Sequence, residues 1–370
     1  MSEAKRVVSL FYPSLVHYRK TLFEYLCNDA NVDFHIICST DAPYIALQNF
    51  TPDSRYKRAI SYTRLETFRL FRHRMVFQRG CISALMETKP EHIIFFGFDP
   101  HIISTICTFL FARYILRKKV YWWGHGVAGH QGRFGRFFRR FFYNRSNGIL
   151  VYSGRGKTDL INMKVKAPIV VVGNAINNED YGFRNGAIKK EFDVLRIIFS
   201  GRLTKRKQLP LLIEALQGVQ DSIGFECAIV GDGPEKDNLQ RIIDLRGVRG
   251  IKLTGALYGE ALAAYYQRAH LCIIPGDAGL TLIHAMSFGV PVITHGDLRA
   301  HGPEIEILQE GLNGDYYNKQ DVEDLRRKIM KWRELIFEKK DAVIESCIES
   351  VRHIGYTPEA VAKNILSILR

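Results

Sequence analysis

The sequence has no long apolar run. Its longest apolar stretch, IISTICTFLFA from Ile102 to Ala112, falls well short of the about 20 residues that a membrane-crossing helix needs. The start, MSEAKRVVSLFYP, has too short an apolar core for a signal peptide and reads as a first strand. Paired cysteines are also missing. The 7 Cys are scattered without a CxxC spacing, and Cys107 and Cys272 sit in apolar runs. That speaks against a disulfide frame or a zinc site and for reduced cytosolic thiols. No full G-x-G-x-x-G is present, which disfavours a dehydrogenase. There is no internal repeat and no low-complexity tract.

Acidic residues are scarce in one half only. Residues 1–185 hold 27 Lys+Arg against 13 Asp+Glu, an excess of +14, whereas residues 186–370 hold 25 of each. The whole net charge of +14 therefore sits in the first half. Such a half suits an anionic partner: nucleic acid, a membrane surface or a phosphorylated substrate.

What is present is ordinary for a folded chain. With 370 residues, 46% hydrophobic and 24% charged, there is room for two domains. Continuous apolar runs such as RVVSLFYP, VDFHIICST, HIIFFGFDP, KKVYWWGHG, GILVYSG and PIVVVGNAI alternate with helical patterns through the first half. Strands buried on both faces of a parallel sheet read this way. A polar stretch, Asn177–Asp193, reads as a linker. The alternation restarts at VLRIIFSGRL and continues through FECAIVGDGP, GIKLTGAL and HLCIIPG. The expectation is an α/β chain of two doubly wound Rossmann-like domains facing a cleft, over 1–180 and 190–345, with a terminal helix over 350–370 packing back on the first.

Three loops of the second half carry candidate chemistry. In FSGRLTKRKQLPLLIEAL a strand ends and Arg202, Lys205, Arg206 and Lys207 precede a helix. Cations there suit a diphosphate, although an isolated basic turn is as often a solvated surface. In AIVGDGP, Gly231 and Gly233 permit a close backbone approach, and alone this is more often a turn than a site. In PGDAGLTLIHAMSFGVPVIT, Gly279 turns tightly, and the N–H groups of Leu280 and Thr281 would face a ligand. Ile283, Ala285 and Met286 read as core. His284 has the plain reading of a packing histidine.

Together, in this order and spacing, the three loops resemble the nucleotide-binding domain of GT-B glycosyltransferases, in particular the retaining family 4. The resemblance covers nearly the whole chain and is densest from Phe199 to Gly314. It implies that Arg202 and Lys207 hold a donor diphosphate, with Gly231, Gly233, Gly279, Leu280 and Thr281 lining the donor site. HGPEIEILQEGLNGDYY resembles a later segment of the family and places Glu304 near the donor. No metal or other cofactor is implied, because Arg, Lys and helix N–H groups neutralise the leaving diphosphate. The chain departs from the family at an acid pair, with Gly276 and His284 standing where two Glu are usual. Asp277 is the candidate to replace the first, and a ring nitrogen of His284 is able to accept from a ribose hydroxyl. A divergent active enzyme, an altered donor preference and lost activity all fit that departure.

In the first half, FYPSLVHYRKTLFEYL follows the first strand. His17 and Arg19 there are candidates to reach an acceptor or the donor phosphate. YWWGHGVAGHQGR sets His125 between glycines at a strand end, where the resemblance implies a histidine that orients a donor-sugar hydroxyl; His130 is a second candidate. GRFGRFFRRFFYNR mixes five Arg with six aromatics. As a helix it has a broad apolar side of Phe134, Phe137, Phe138, Phe141 and Phe142. Arg136, Arg139 and Arg140 fall around the rest, so it reads either as packed on the sheet or as lying on anionic lipid. The resemblance thus implies transfer of a sugar from a nucleotide-diphosphate sugar to a saccharide or lipid-linked saccharide, in surface polysaccharide assembly. The setting would be cytoplasmic and peripheral to an anionic membrane surface, with no nucleic acid partner, since no recognition motif appears. A GT-B sugar-nucleotide epimerase and a non-catalytic nucleotide-sugar or membrane-binding scaffold are the rival readings.

Overall fold

The computed structural model describes residues 5–39, 59–70, 73–127, 132–176 and 190–369. It separates into two compact units, Met1–Ala175 with Pro358–Arg370, and Ile176–Thr357.

In the first unit the apolar runs become strands. These are β1 (Arg6–Phe11), β2 (Val32–Ser39), β3 (Ile60–Leu70), β4 (His73–Arg79), β5 (His92–Phe96), β6 (Lys119–Gly124), β7 (Gly148–Val151) and β8 (Ile169–Val171). They form one sheet in the order β4-β3-β2-β1-β5-β6-β7-β8. All neighbours are parallel except β3 and β4, which pair as an antiparallel hairpin from Arg64–Arg79 to Leu70–His73. The sequence reading has no strands here. ISYTRLETFRL and HRMVFQR are studded with charge, as suits a sheet edge rather than a doubly covered centre.

Helices α1 (Lys20–Cys27), α2 (Cys81–Thr88), α3 (Ile103–Leu110), α4 (Arg133–Tyr143) and α5 (Gly154–Asn162) follow their strands, α3 running on into a π turn at Phe111–Ile115. The strand order reverses between β1 and β5. Loops at the carboxyl ends of strands beside such a reversal are where open α/β sheets bind ligands.

The second unit has six parallel strands in the order β11-β10-β9-β12-β13-β14. They are β9 (Leu195–Ser200), β10 (Phe225–Val230), β11 (Ile251–Gly255), β12 (Leu271–Ile274), β13 (Val292–His295) and β14 (Gly314–Tyr317). This is the doubly wound 3-2-1-4-5-6 order, and its reversal lies between β9 and β12. Every residue of β9, LRIIFS, is buried. Helices α6 (Leu209–Val219), α7 (Lys236–Arg246), α8 (Gly259–Arg268), α9 (Thr281–Ser287), α10 (Val322–Glu338) and α11 (Lys340–Ile354) complete it.

The chain then returns to the first unit. Helix α11 stops at Gly355, whose φ of 73° is left-handed, a conformation that favours glycine at a helix end. Pro358 opens α12 (Pro358–Leu369), a favoured place for proline. The return thus begins at residue 358 and not at 350. Val361, Ala362, Ile365, Leu366 and Leu369 share a core with Leu22, Phe23 and Leu26 of α1. Arg6 Nη1 donates to Leu369 O at 2.9 Å and Asn364 Nδ2 to Val172 O at 3.3 Å, tying α12 to the start of β1 and to the residue after β8.

Candidate functional site

The loops after β9 and β12 meet at the reversal of the second sheet. Lys207 Nζ donates to Asp277 O at 2.5 Å, and Asp277 N donates to Arg206 O at 3.3 Å. Arg206 Nε and Nη2 both donate to Asp277 Oδ2, at 2.9 and 2.5 Å. Arg206 is largely exposed, so this pair holds loop geometry more than it adds stability. Burial lowers the Lys207 pKa, with Asp277 opposing and Arg206 reinforcing that shift. Arg202 is exposed and makes no hydrogen bond or ion pair among the described residues. Thr281 Oγ1 donates to Ser200 O at 3.3 Å, setting the start of α9 against the end of β9. Gly279 and Leu280 donate no backbone hydrogen bond among the described residues.

Two of the candidate donor glycines serve a different contact. A Cβ on Gly231 would lie 1.9 Å from Gly201 O, and one on Gly233 would lie 2.3 Å from Leu203 O. Both have φ of 154°. Leu203 N donates to Asp232 O at 2.8 Å and Gly201 N to Val230 O at 2.9 Å. The GDGP turn therefore packs against the SGRL turn, and the close approach read from the sequence is backbone on backbone rather than backbone on ligand.

The first position of the missing acid pair is sterically closed. A Cβ on Gly276 would lie 1.9 Å from Arg206 O and 2.8 Å from Arg206 C, so no glutamate fits at that position. Asp277 is not a free substitute, because its carboxylate is committed to Arg206. His284 is 4% exposed, its ring 4.4 Å from that of Tyr266 and 5.4 Å from that of Phe288. Burial drives its pKa down to about 3. The ribose role is corrected to a packing one, since the ring lies inside the hydrophobic layer.

Glu304 is 3% exposed, and its Oε2 would stand 3.8 Å from a Cβ on Gly279. It thus adjoins the start of α9. The sequence reading missed the braces of this loop. His301 Nδ1 accepts from Ala278 N at 3.0 Å, and its Nε2 bonds His295 O at 2.8 Å. Tyr317 Oη donates to Pro275 O at 2.6 Å. Only HGPE and DYY, adjoining strand ends, signalled them. A cavity of about 440 Å³ lies against Thr204, Gln208, Leu209, Glu235 and Leu239. Arg202, Lys207 and Gly279–Thr281 do not line it.

In the first unit, Arg19 closes the short turn His17–Arg19 ahead of α1. It is 1% exposed, and Nη2 donates to Tyr152 Oη at 3.1 Å. Its Cζ lies 5.3 Å from the ring centroids of Tyr18, Trp123 and Tyr152. Burial opposes its charge, but Tyr152, Tyr12 and Tyr18 outweigh burial and raise its pKa. His125 follows β6 and is open to solvent on one side. On the other, its ring meets Tyr152 edge to face at 4.8 Å. Burial, then Arg19 and Arg155, lower its pKa, which favours the neutral imidazole. Arg155 and Tyr152 escaped the sequence reading; the signal was VYSGRGK, a strand running straight into a Ser-capped helix. His17 lies outside the described side chains, and His130 lies outside the described residues.

Helix α4 reverses the expected orientation. Phe134, Phe137, Phe138 and Phe141 are 76%, 64%, 38% and 36% exposed, and only Phe142 turns in, at 5%. Arg139 is not a surface residue. It is 4% exposed, and it donates to Phe98 O at 3.0 Å through Nη2 and to Gly126 O through Nη1. It leans on the rings of Phe98 and Tyr143. Arg139, Phe142 and Tyr143 fill the inner face, which leaves the other phenylalanines outside. Arg136 remains exposed and Arg140 half-buried.

Comparison with known proteins adds a domain assignment. Residues 185–346 match the family described as glycosyl transferases group 1, so the second unit carries a domain of that kind. A GDP-mannose-dependent alpha-mannosyltransferase of Corynebacterium glutamicum is 32% identical over 158 residues, covering 41% of this chain and 35% of that protein. An alpha-monoglucosyldiacylglycerol synthase of Acholeplasma laidlawii is 27% identical over 129 residues, covering 34% of this chain and 31% of that protein. The chain thus spans about a third of the length of the curated relatives it matches. Among solved structures, a glycosyltransferase from Rickettsia africae aligns with a TM-score of 0.73 at 15% identity, over 99% of both chains. Anabaena HepE in complex with UDP aligns with a TM-score of 0.70 at 15% identity, over 98% of this chain and 99% of that one. With two doubly wound domains in the chain, these neighbours place it in the GT-B fold class.

Proposed function

We propose that this chain is a glycosyltransferase that moves a sugar from a nucleotide-diphosphate sugar to a saccharide or lipid-linked saccharide. The observation that carries this reading is the meeting of two loops at the reversal of the second sheet. There Lys207 bonds Asp277, just ahead of the Gly279–Thr281 turn, and Thr281 bonds Ser200, two residues before Arg202, inside the group 1 domain. Nucleotide-diphosphate donors bring two negative phosphates. Arg and Lys at such a reversal neutralise the charge that grows on the leaving diphosphate.

The finer reading is a retaining transfer in surface polysaccharide assembly, with donor on the second unit and acceptor on the first. Among the described residues the carboxylate beside Lys207, that of Asp277, is held by Arg206 and so is a poor base. That supports front-face chemistry, in which the departing phosphate takes the acceptor proton. His125, favoured as a neutral imidazole, suits orienting a donor-sugar hydroxyl. With the cations in this role the reaction needs no metal. A peripheral position on the cytoplasmic face of a membrane is supported by the basic first half and the outward phenylalanines of α4.

A panel of nucleotide-sugars tests the reading. Hydrolysis or transfer is expected, with the rate unchanged by a chelator. Arg202→Ala or Lys207→Ala should weaken nucleotide-diphosphate binding about tenfold in calorimetry, the loss of one charge-assisted contact. Epimerisation, or binding without turnover, would replace the assignment with one of its rivals.

A further inference from the structure

Two other arginines of the described structure are buried and better partnered, with only Nε of Arg139 left without a hydrogen bond. Arg139 gives to two carbonyls, and Arg196 pairs with Asp193, Glu191 and Glu226. Arg19 differs. Its Nε and Nη1 are buried without a hydrogen-bond partner in geometric terms among the described residues, and the groups that raise its pKa are Tyr152, Tyr12 and Tyr18, phenols that carry no charge near pH 7. Three aromatic faces compensate a guanidinium in part. A buried cation without a counter-charge is nonetheless strongly unfavourable.

The surroundings repeat the same sign. The ring of Tyr152, which accepts from Arg19, carries the ring of His125 at 4.8 Å. The carbonyl of His125 lies 2.9 Å from where a Cβ on Gly156 would stand, in the first turn of α5. That helix starts at Gly154, and Ser153 Oγ caps it by accepting from Gly156 N at 3.1 Å. Arg155 lies close enough to act on His125, as Arg19 does, and no carboxylate acts on either Arg19 or His125 among the described residues. The loop after β1, the end of β6 and the start of α5 thus bring two guanidiniums, an imidazole and a helix N-terminus to one end of the sheet.

We infer that this end of the first sheet is a phosphate subsite for an anionic acceptor. The phosphate rests against His125, Arg155 and the first turn of α5, and Arg19 supplies the buried counter-charge beneath it. A tetrahedral oxyanion suits this set, because guanidinium forks direct donors at it and the positive end of α5 favours its charge. The word acceptor rests on the transfer reading above; the phosphate subsite does not. The phosphate can belong to a sugar phosphate or to a lipid phosphate.

The test reads binding instead of turnover. The full chain is labelled with 5-fluorotryptophan, and its three tryptophans are assigned by single Trp→Phe variants. Trp123 lies against Arg19, and Trp332 sits in the second unit as an internal control. Glucose 1-phosphate and dodecyl phosphate are titrated, with glucose and dodecyl maltoside as uncharged controls. A saturable shift of Trp123 with a phosphate, and with neither control, is expected while Trp332 stays still. Arg19→Gln should weaken that binding about tenfold or more, and Arg19→Lys less. If Arg19→Gln fails to fold, the half-buried Arg155→Gln gives the same reading.

Tighter dodecyl phosphate identifies a lipid carrier, and tighter glucose 1-phosphate a sugar phosphate. An unmoved Trp123, or binding unchanged in Arg155→Gln and in a folded Arg19→Gln, overturns the subsite and leaves Arg19 as a clamp on Tyr152. Phosphate binding without transfer to any acceptor would sink the glycosyltransferase reading and leave the subsite standing.

Discussion

Gly276 shows how a single missing side chain is dictated by a neighbouring backbone. The carbonyl of Arg206 occupies the place of its Cβ, 1.9 Å away. Gly276→Ala should therefore destabilise the second unit by about 1–3 kcal/mol, as overpacking does, seen as a lower midpoint in urea with Trp332 fluorescence. An unchanged midpoint would mean that the loop yields freely. The loss of the acid at this position was legible in the sequence; its cause was not, because the cause lies 70 residues away in the chain. Gly231 and Gly233 teach the same lesson. A glycine needed for close approach looks identical whether the approaching atom is a ligand or a neighbouring turn. His284 illustrates the converse, since nothing in LTLIHAM tells a ring packed against Tyr266 and Phe288 from one facing a ribose.

At the scale of elements, buried strands were legible and edges were not. The runs around β1, β5 and β9 are apolar on both faces, and their periodicity leaves little choice. The β3–β4 hairpin carries too many charges to read as a core strand, and only pairing at the sheet edge explains it. Helix α4 was legible as amphipathic, but its orientation depended on Arg139, whose guanidinium is drawn inward by two carbonyls. With the phenylalanines outward, membrane contact would depend on insertion as well as charge. Phe134→Glu with Phe137→Glu should lower binding to vesicles of anionic lipid at least as much as Arg136→Gln with Arg140→Gln. Added salt should weaken wild-type binding only in part, because insertion is not screened. Cosedimentation that ignores the phenylalanine pair would return the face to some other partner.

For the molecule as a whole, buried histidines govern how the second unit meets acid. In the second, burial lowers the pKa of His270 and His295 to about 4 and of His284 to about 3. The unfolded chain takes up those protons near the ordinary value of 6.5, and the folded unit resists. Stability from these rings is full above about pH 6.5 and is lost as pH falls towards 4 and then 3. Denaturation followed at Trp332 should lose several kcal/mol over that window, and His284→Asn should flatten part of the slope. A pH-independent midpoint between 6.5 and 4 would contradict the burial of these rings.

Helix α12 carries a consequence for synthesis. Five of its side chains complete the core that α1 begins, yet the entire second unit lies between them in the chain. A ribosome therefore delivers the last piece of the first domain only after the second has emerged. The usual order, in which the amino-terminal domain matures first during translation, is inverted: the later domain can finish while the earlier one waits with a groove open on its surface. For that interval the nascent chain depends on whatever shields apolar surface near the exit tunnel, and stalling just before Pro358 would strand it there.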